Sequence, residues 1–281
     1  MVDGWVEYYQ LKEDQAKDFT AEVGKNRYRV HLFHASIGWV AALRLMPAEI
    51  LTFSELGIKE EDVLGVSKGT GLTLFCGATG AGKSTTMNAV INSLLISDEL
   101  GVTIIIEDPI EYLHNQETIF QREVGVNVKS FKDGLIEAVR STPATIVIGE
   151  IRDSGTALEA LKAGLSGHRV FATLHASSAK EALSRLRAFL DDSSSDLFIQ
   201  SLQGVFAQHL INLPKGKKYC IYETLKIDKK ARNIISQALD PKSQLTFNSC
   251  NFDQKGKTLI EQKEDLVSRG VSRDALNFVG E

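Results

Sequence analysis

Residues Gly77-Ala78-Thr79-Gly80-Ala81-Gly82-Lys83-Ser84 follow the apolar run Leu72 to Cys76. They precede Met87, Val90, Ile91, Leu94 and Leu95, apolar positions at helical spacing. Strand, glycine-rich loop and helix in that order form a phosphate-binding P-loop, and the context makes the octet more than a pattern match. The glycines let consecutive backbone N–H groups turn inward around a polyphosphate, and the helix that follows points its positive dipole end at the same spot. Lys83 then reaches the β- and γ-phosphates of a nucleoside triphosphate, Ser84 supplies the hydroxyl that P-loops give to Mg²⁺, and Thr85 stands beside the α-phosphate. ATP and Mg²⁺ are the expected ligands, gripped by residues Gly77, Ala78, Thr79, Gly80, Ala81, Gly82, Lys83, Ser84 and Thr85.

Outward from this loop the pattern is regular. Leu72 to Cys76, Val102 to Ile106, Thr145 to Ile148 and Val170 to Leu174 are short apolar runs separated by helical patterns, which predicts an α/β fold with a parallel-rich sheet. The helical positions include Leu135, Ile136 and Val139, then Leu158, Leu161 and Leu165, then Phe198, Leu202, Val205, Phe206 and His209. A strand over Tyr219 to Leu225 and helices near Ala231 to Ala238 and Leu259 to Ser268 close the chain. Pro214 to Lys218 reads as a solvated lysine-rich turn. Before the P-loop, Phe19 to Val23, Arg27 to Phe33 and Trp39 to Leu45 read as strands joined by polar turns. The expected organisation is a β-rich unit over 1–50, a linker over 51–68 and an ATPase domain over 69–281.

Composition bounds the partners. At 281 residues, 43% hydrophobic and 24% charged, the chain can bury one sizeable core and a smaller unit. A net charge of −4 argues against a protein built to neutralise a nucleic-acid backbone, so nucleic acid is not expected. No apolar stretch approaches the roughly 20 residues that span a bilayer and no secretory leader is evident, so a cytoplasmic location is expected. Cys76, Cys220 and Cys250 are three and far apart, which fits buried reduced thiols rather than a disulfide framework or a zinc site.

A phosphate cradle needs carboxylates at neighbouring strand ends before it can hydrolyse anything. Thr145-Ile146-Val147-Ile148-Gly149-Glu150 is a buried strand that ends in glycine and acid, which puts Glu150 at the carboxyl edge of the sheet, where ligands sit. There it can hold a Mg²⁺-bound water or orient the attacking one. Asp153 is better placed as a helix N-cap. Ile106-Glu107-Asp108-Pro109-Ile110-Glu111 repeats the design, with the proline stopping the strand and Glu107 in the position that Glu150 has on its own strand. His175 follows Val170 to Leu174 at a third strand end, within reach of a γ-phosphate.

Together these segments resemble the hexameric secretion ATPases of type II and type IV secretion and of type IV pili. Gly77 to Thr86 is similar to that family's Walker A, Ile106 to Glu111 to its aspartate box, Ile148 to Asp153 to its Walker B, and Gly167 to Ala176 to its histidine box, in the family's order. Arg27-Tyr28-Arg29-Val30 and Leu43-Arg44 resemble strand ends of its PAS-like amino-terminal domain. The resemblance implies a RecA-like P-loop NTPase core behind a short, partial PAS-like domain. It further implies that Arg29 and Arg44 neutralise phosphate charge, with Arg27 the alternative to Arg29. It also implies a homo-hexamer at the cytoplasmic face of the inner membrane, working on pilus or secretion platform proteins. The four-cysteine zinc insert of the pilus-assembly and type II members is missing, which tilts the resemblance toward the retraction-type and type IVB or conjugative branches.

The function so implied is an ATP-hydrolysing motor in which Glu107, Glu150, His175, Arg29 and Arg44 act on the nucleotide and Ser84 and Glu150 serve the metal. Two rival readings are a nucleotide-binding assembly module with negligible turnover and a nucleic-acid translocase on the same core.

Overall fold

The computed structural model describes residues 1–212, 218–240, 243, 246–247, 258–268, 271–272 and 276. Helix α1 (Val2–Tyr9) leads into strands β1 (Ala16–Val23), β2 (Asn26–Ala35) and β3 (Gly38–Leu45), then α2 (Phe53–Leu56) and α3 (Glu60–Ser67). The larger unit follows as β4 (Gly71–Cys76), α4 (Lys83–Ile96), β5 (Thr103–Glu107), β6 (Ile119–Glu123), α5 (Phe131–Arg140), β7 (Thr145–Ile148), α6 (Ser154–Leu165), β8 (Arg169–Leu174) and α7 (Ala179–Ala188). It ends with α8 (Ser195–Ser201), β9 (Leu202–Asn212), β10 (Lys218–Lys226), α9 (Lys229–Leu239) and α10 (Leu259–Ser268).

The first three strands form an antiparallel meander, and its small core is Phe19, Val30 and Leu32 beneath α1. Trp5 meets the Phe19 ring edge-on at 5.3 Å and Tyr9 lies 4.7 Å from it, so α1 is held by aromatic packing rather than by its own propensity. The second sheet has seven strands in the order β10-β9-β4-β8-β7-β5-β6, all parallel except for β10 against β9. This is the expected α/β architecture with a parallel-rich sheet, preceded by a β-rich unit.

The strand pleat sorts the core into two layers. On β4, Leu72, Leu74 and Cys76 point to one face with α5 to α9, while Phe75 points to the other with α2, α3 and α4. Both faces are covered, so the central strands are wholly buried. Residues 51–68 lie against this sheet: Phe53, Ile58, Val63 and Val66 are buried in the second layer. A Cβ on Gly204 would come within 2.5 Å of the Val66 carbonyl, so α3 packs on β9 at a distance only glycine permits.

One reading from periodicity is overturned. The helix expected to run through Phe198, Leu202, Val205, Phe206 and His209 stops at Ser201, and the other four residues lie on β9. The cause is burial: β9 sits between β4 and β10 and is apolar on both faces, so its residues show no period of two and mimic helical spacing. Helix α1 and strand β6 had no counterpart in the sequence reading. Of the lysine-rich turn, residues 214–217 lie outside the described residues, as does Cys250, while Cys76 and Cys220 are buried free thiols. Among the described residues no helix is long and apolar enough to cross a membrane.

Candidate active site

The parallel sheet brings the carboxyl ends of β4, β5, β7 and β8 to one edge. Each of them ends in a segment that carries chemistry. The loop after β4 wraps the first turn of α4. Gly77 has φ of 156°, and a Cβ there would lie 2.6 Å from the Gln208 carbonyl on the adjacent β9, so the loop has no room for a side chain at its base. The Gln208 carboxamide, almost fully buried, donates from Nε2 to the Ala81 carbonyl at 2.6 Å and braces the loop from beneath.

Lys83 is buried at the start of α4. Its Nζ donates to the carbonyls of Gly77 (2.9 Å) and Ala78 (3.0 Å), and lies 3.4 Å from Nδ1 of His175 beyond β8. The other ring nitrogen of His175, Nε2, is 2.8 Å from Oε1 of Glu150 beyond β7. Burial, seconded by the Lys83 charge and opposed by Glu150, holds the His175 pKa below its ordinary value. The ring is therefore neutral, accepting at Nδ1 and donating from Nε2 to the carboxylate. Lys83, His175 and Glu150 thus form one continuous chain across three strand ends. Burial also lowers the Lys83 pKa, with Glu150 pulling it back.

Glu150 is held from its other side by Arg152, whose Nε is 2.7 Å from Oε2, and Arg152 reaches on to Asp108 at 3.7 Å. Asp153 caps α6 by accepting from the Thr156 N–H at 2.8 Å. Glu107, the last residue of β5, is 5% exposed, and burial pushes its carboxyl up to about 8 against the hydrogen bond from Gln121. Of the acids in the 106–111 segment it is the one turned into the protein, so at neutral pH it holds a proton in this structure.

The second wall comes from the small sheet. Arg29 on β2 and Arg44 on β3 stand directly opposite each other in the strand register. Like charges so placed repel. Both line the same cleft of about 420 Å³ as Thr79, Gly80, Gly82, Lys83, Ser84, Thr85, Glu107, Glu150 and His175. Arg29 also lies 3.9 Å from Glu111, while Arg27 donates to the Ile110 carbonyl at 3.2 Å outside that cleft. The structure therefore brings every residue of the sequence-derived set to one place, with Gly77, Ala78 and Ala81 as the loop behind Lys83. Sequence reasoning missed Gln208, Arg152's role as a tether, and Tyr112, whose hydroxyl donates to Thr85 Oγ1 at 3.2 Å. Gln208 and Tyr112 carry no local signal, because their partners lie 127 and 27 residues away.

The site has the donors a nucleoside triphosphate needs: a glycine-floored cradle, a buried ammonium aimed into it and two guanidiniums across the cleft. Comparison with known proteins agrees. The type II/IV secretion system protein family matches residues 11–262. The type IV pilus retraction ATPase PilT of Pseudomonas aeruginosa is 35% identical over 261 residues, covering 90% of this chain and 74% of that protein. A crystal structure of the pilus retraction motor PilT with bound ADP superposes with a TM-score of 0.79 at 30% identity, over 100% of this chain and 84% of that one. The Legionella pneumophila ATPase DotB shares the fold, with a TM-score of 0.77 at 23% identity over 98% of this chain and 80% of that one. With its four segments in order on one sheet edge and a family match spanning both sheets, the chain belongs to the type II/IV secretion system protein family.

Proposed function

We propose that this ATPase is a motor that powers a type IV pilus or a type IV (conjugative or IVB) secretion machine through nucleotide-driven movement of the small sheet against the core. The observation that carries the reading is the Lys83–His175–Glu150 chain, faced across the cleft by Arg29 and Arg44. ATP lies along residues 77–85, with its phosphates on the loop N–H groups and Lys83 Nζ exchanging its carbonyl partners for phosphate oxygens. Ser84 and Glu150 are hard oxygen donors lining one cleft, a set that suits Mg²⁺ bound through one or two protein ligands plus phosphate. Held there, such an ion would neutralise developing charge on the phosphates.

Glu150 orients the attacking water and Glu107 holds its partner position on β5. His175, released by Lys83, reports the γ-phosphate to Glu150. Arg29 and Arg44 close on the phosphates from the small sheet, which turns occupancy of the cleft into movement of that sheet. The likeness to the pilus retraction motor PilT supports the kind of work done. The rest of the proposal is a ring of six copies at the cytoplasmic face of the inner membrane, acting on pilus or secretion platform proteins.

The test is steady-state phosphate release beside ATP binding, for wild type, Lys83→Ala and Glu150→Gln. The motor reading expects turnover in wild type and almost none in either variant, with Glu150→Gln still binding ATP. Tight binding without release in wild type would leave only an assembly role. Mass measurement in solution with and without a non-hydrolysable ATP analogue tests the ring.

A further inference from the structure

Glu107 is not held by the phosphate loop or by any residue of the Lys83 chain. Its carboxyl accepts from the side chain of Gln121, on the edge strand β6, with Nε2 to Oε2 at 3.2 Å. The same Nε2 donates to the Tyr112 carbonyl at 2.6 Å, and Oε1 of Gln121 accepts from the His114 N–H at 2.9 Å. Both amide hydrogens and the amide oxygen are thus committed, which fixes the plane of the carboxamide. The two residues it grips lead directly to the helix that follows the phosphate loop. Tyr112 donates from its hydroxyl to Thr85 Oγ1 at 3.2 Å. His114 Nε2 lies 2.6 Å from Asn88 Oδ1, and Asn88 Nδ2 donates to the Ser84 carbonyl at 2.8 Å.

We infer that Gln121 is a positioning residue for hydrolysis: its one carboxamide holds the Glu107 carboxyl and the 112–114 turn in a single frame with the first turn of α4. Gln121 does not line the nucleotide cleft and so acts only through Glu107 and that turn. An amide is required because the site needs two donors and an acceptor in one plane. A carboxylate of the same shape supplies no donor for the Glu107 carboxyl or the Tyr112 carbonyl, and an alkyl side chain supplies nothing. The inference rests on the reading of Glu107 as a carboxyl that acts on the nucleotide.

The experiment is phosphate release by the full chain with Mg·ATP, measured as kcat and KM for Gln121→Leu, Glu107→Gln and the double variant. Expected is a fall in kcat of about 10- to 100-fold for Gln121→Leu, since a misplacement near 1 Å costs that much, with KM within about threefold of wild type. In the Glu107→Gln background the second change should cost much less than it does in wild type, leaving only the part that passes through the 112–114 turn. Should Gln121→Leu fail to fold, Gln121→Glu keeps the shape, removes the donors and should show the same fall. Unchanged kcat in Gln121→Leu or Gln121→Glu beside an impaired Glu107→Gln overturns the inference alone, as do losses that multiply in the double variant or a KM that rises as kcat falls. Full activity in Glu107→Gln removes both the inference and the reading of Glu107 beneath it.

Discussion

The two sheets of this molecule are built to opposite specifications. The seven-stranded sheet is covered on both faces, and Phe75, Phe171, Leu72 and Ile148 in its strands have no exposed surface. The three-stranded sheet has a core of three buried residues, Phe19, Val30 and Leu32, beneath a single two-turn helix. Its far face meets the core through sparse polar contacts at the cleft, such as Arg27 with Ile110 and Arg29 with Glu111. The residues proposed to hold the phosphates stand on the close-packed sheet, and the arginines proposed to close on them stand on the thinly anchored one. Dense packing and thin anchoring are thereby assigned to different parts of one chain.

The sharpest way to break this contrast is at the rigid edge. Lys83→Ala or Glu150→Gln should lower phosphate release by about 10² to 10⁴-fold while melting within a few degrees of wild type. A comparable loss of folding would mean that the two residues serve the sheet, not the reaction. Next comes the packing itself: Phe171→Ala should cost about 3–5 kcal/mol in denaturant unfolding of the whole core. Leu32→Ala should cost about 2–5 kcal/mol felt chiefly by the small sheet, seen as local loss of amide protection in 16–45 with the large sheet still protected. Uniform loss across both sheets would show one cooperative unit and end the comparison.

Protons sharpen it further. Glu107 has its pKa raised in the folded chain, to about 8, so the folded state binds a proton that the unfolded state releases above its ordinary value near pH 4.5. Stability should accordingly be highest below that value and fall as pH rises through 5 to 8. Glu107→Gln removes that slope, and without nucleotide it should gain on wild type by on the order of 2 kcal/mol or more between pH 5 and 8, read from denaturant midpoints. A parallel pH dependence in both proteins would contradict a buried protonated carboxyl. The smallest effect belongs to the joint between the sheets. Arg29 and Glu111, each about a third exposed at 3.9 Å, contribute roughly 0–1 kcal/mol. Glu111→Gln should leave the melting temperature nearly unmoved, and a drop of several kcal/mol would mean the small sheet is clamped rather than hung.

How much of this was legible depended on how local the chemistry was. The phosphate loop, Glu150 and His175 each sit at the end of an apolar run, so strand, stop and functional group are contiguous and can be read together. Strand β9 was read as helix because a strand buried on both faces loses its period of two, and no spacing rule separates it from a buried helix. Strand β6 was hidden for the opposite reason: as an edge strand it mixes Phe120, Gln121, Arg122 and Glu123 without an apolar run. Gln121 and Gln208 could not be found from sequence because their partners lie 9 and 14, and 127, residues away. Only the order of strands in the sheet brings them together.

Strand β9 has a mechanical corollary. Gln208 holds Ala81 on one side of the sheet, and its peptide neighbour His209 donates from Nε2 to the Ser177 carbonyl at 2.8 Å on the other. Adjacent strand residues project to opposite faces, so these two grips are separated by one residue's rise, about 3.3 Å, of inextensible backbone. Both grips ride on the same short stretch of backbone, so a shift of the strand along its axis moves them together. A lengthwise tug on this strand is shared at once by the floor of the cradle and the shoulder beyond His175, like a single bolt passing through both plates.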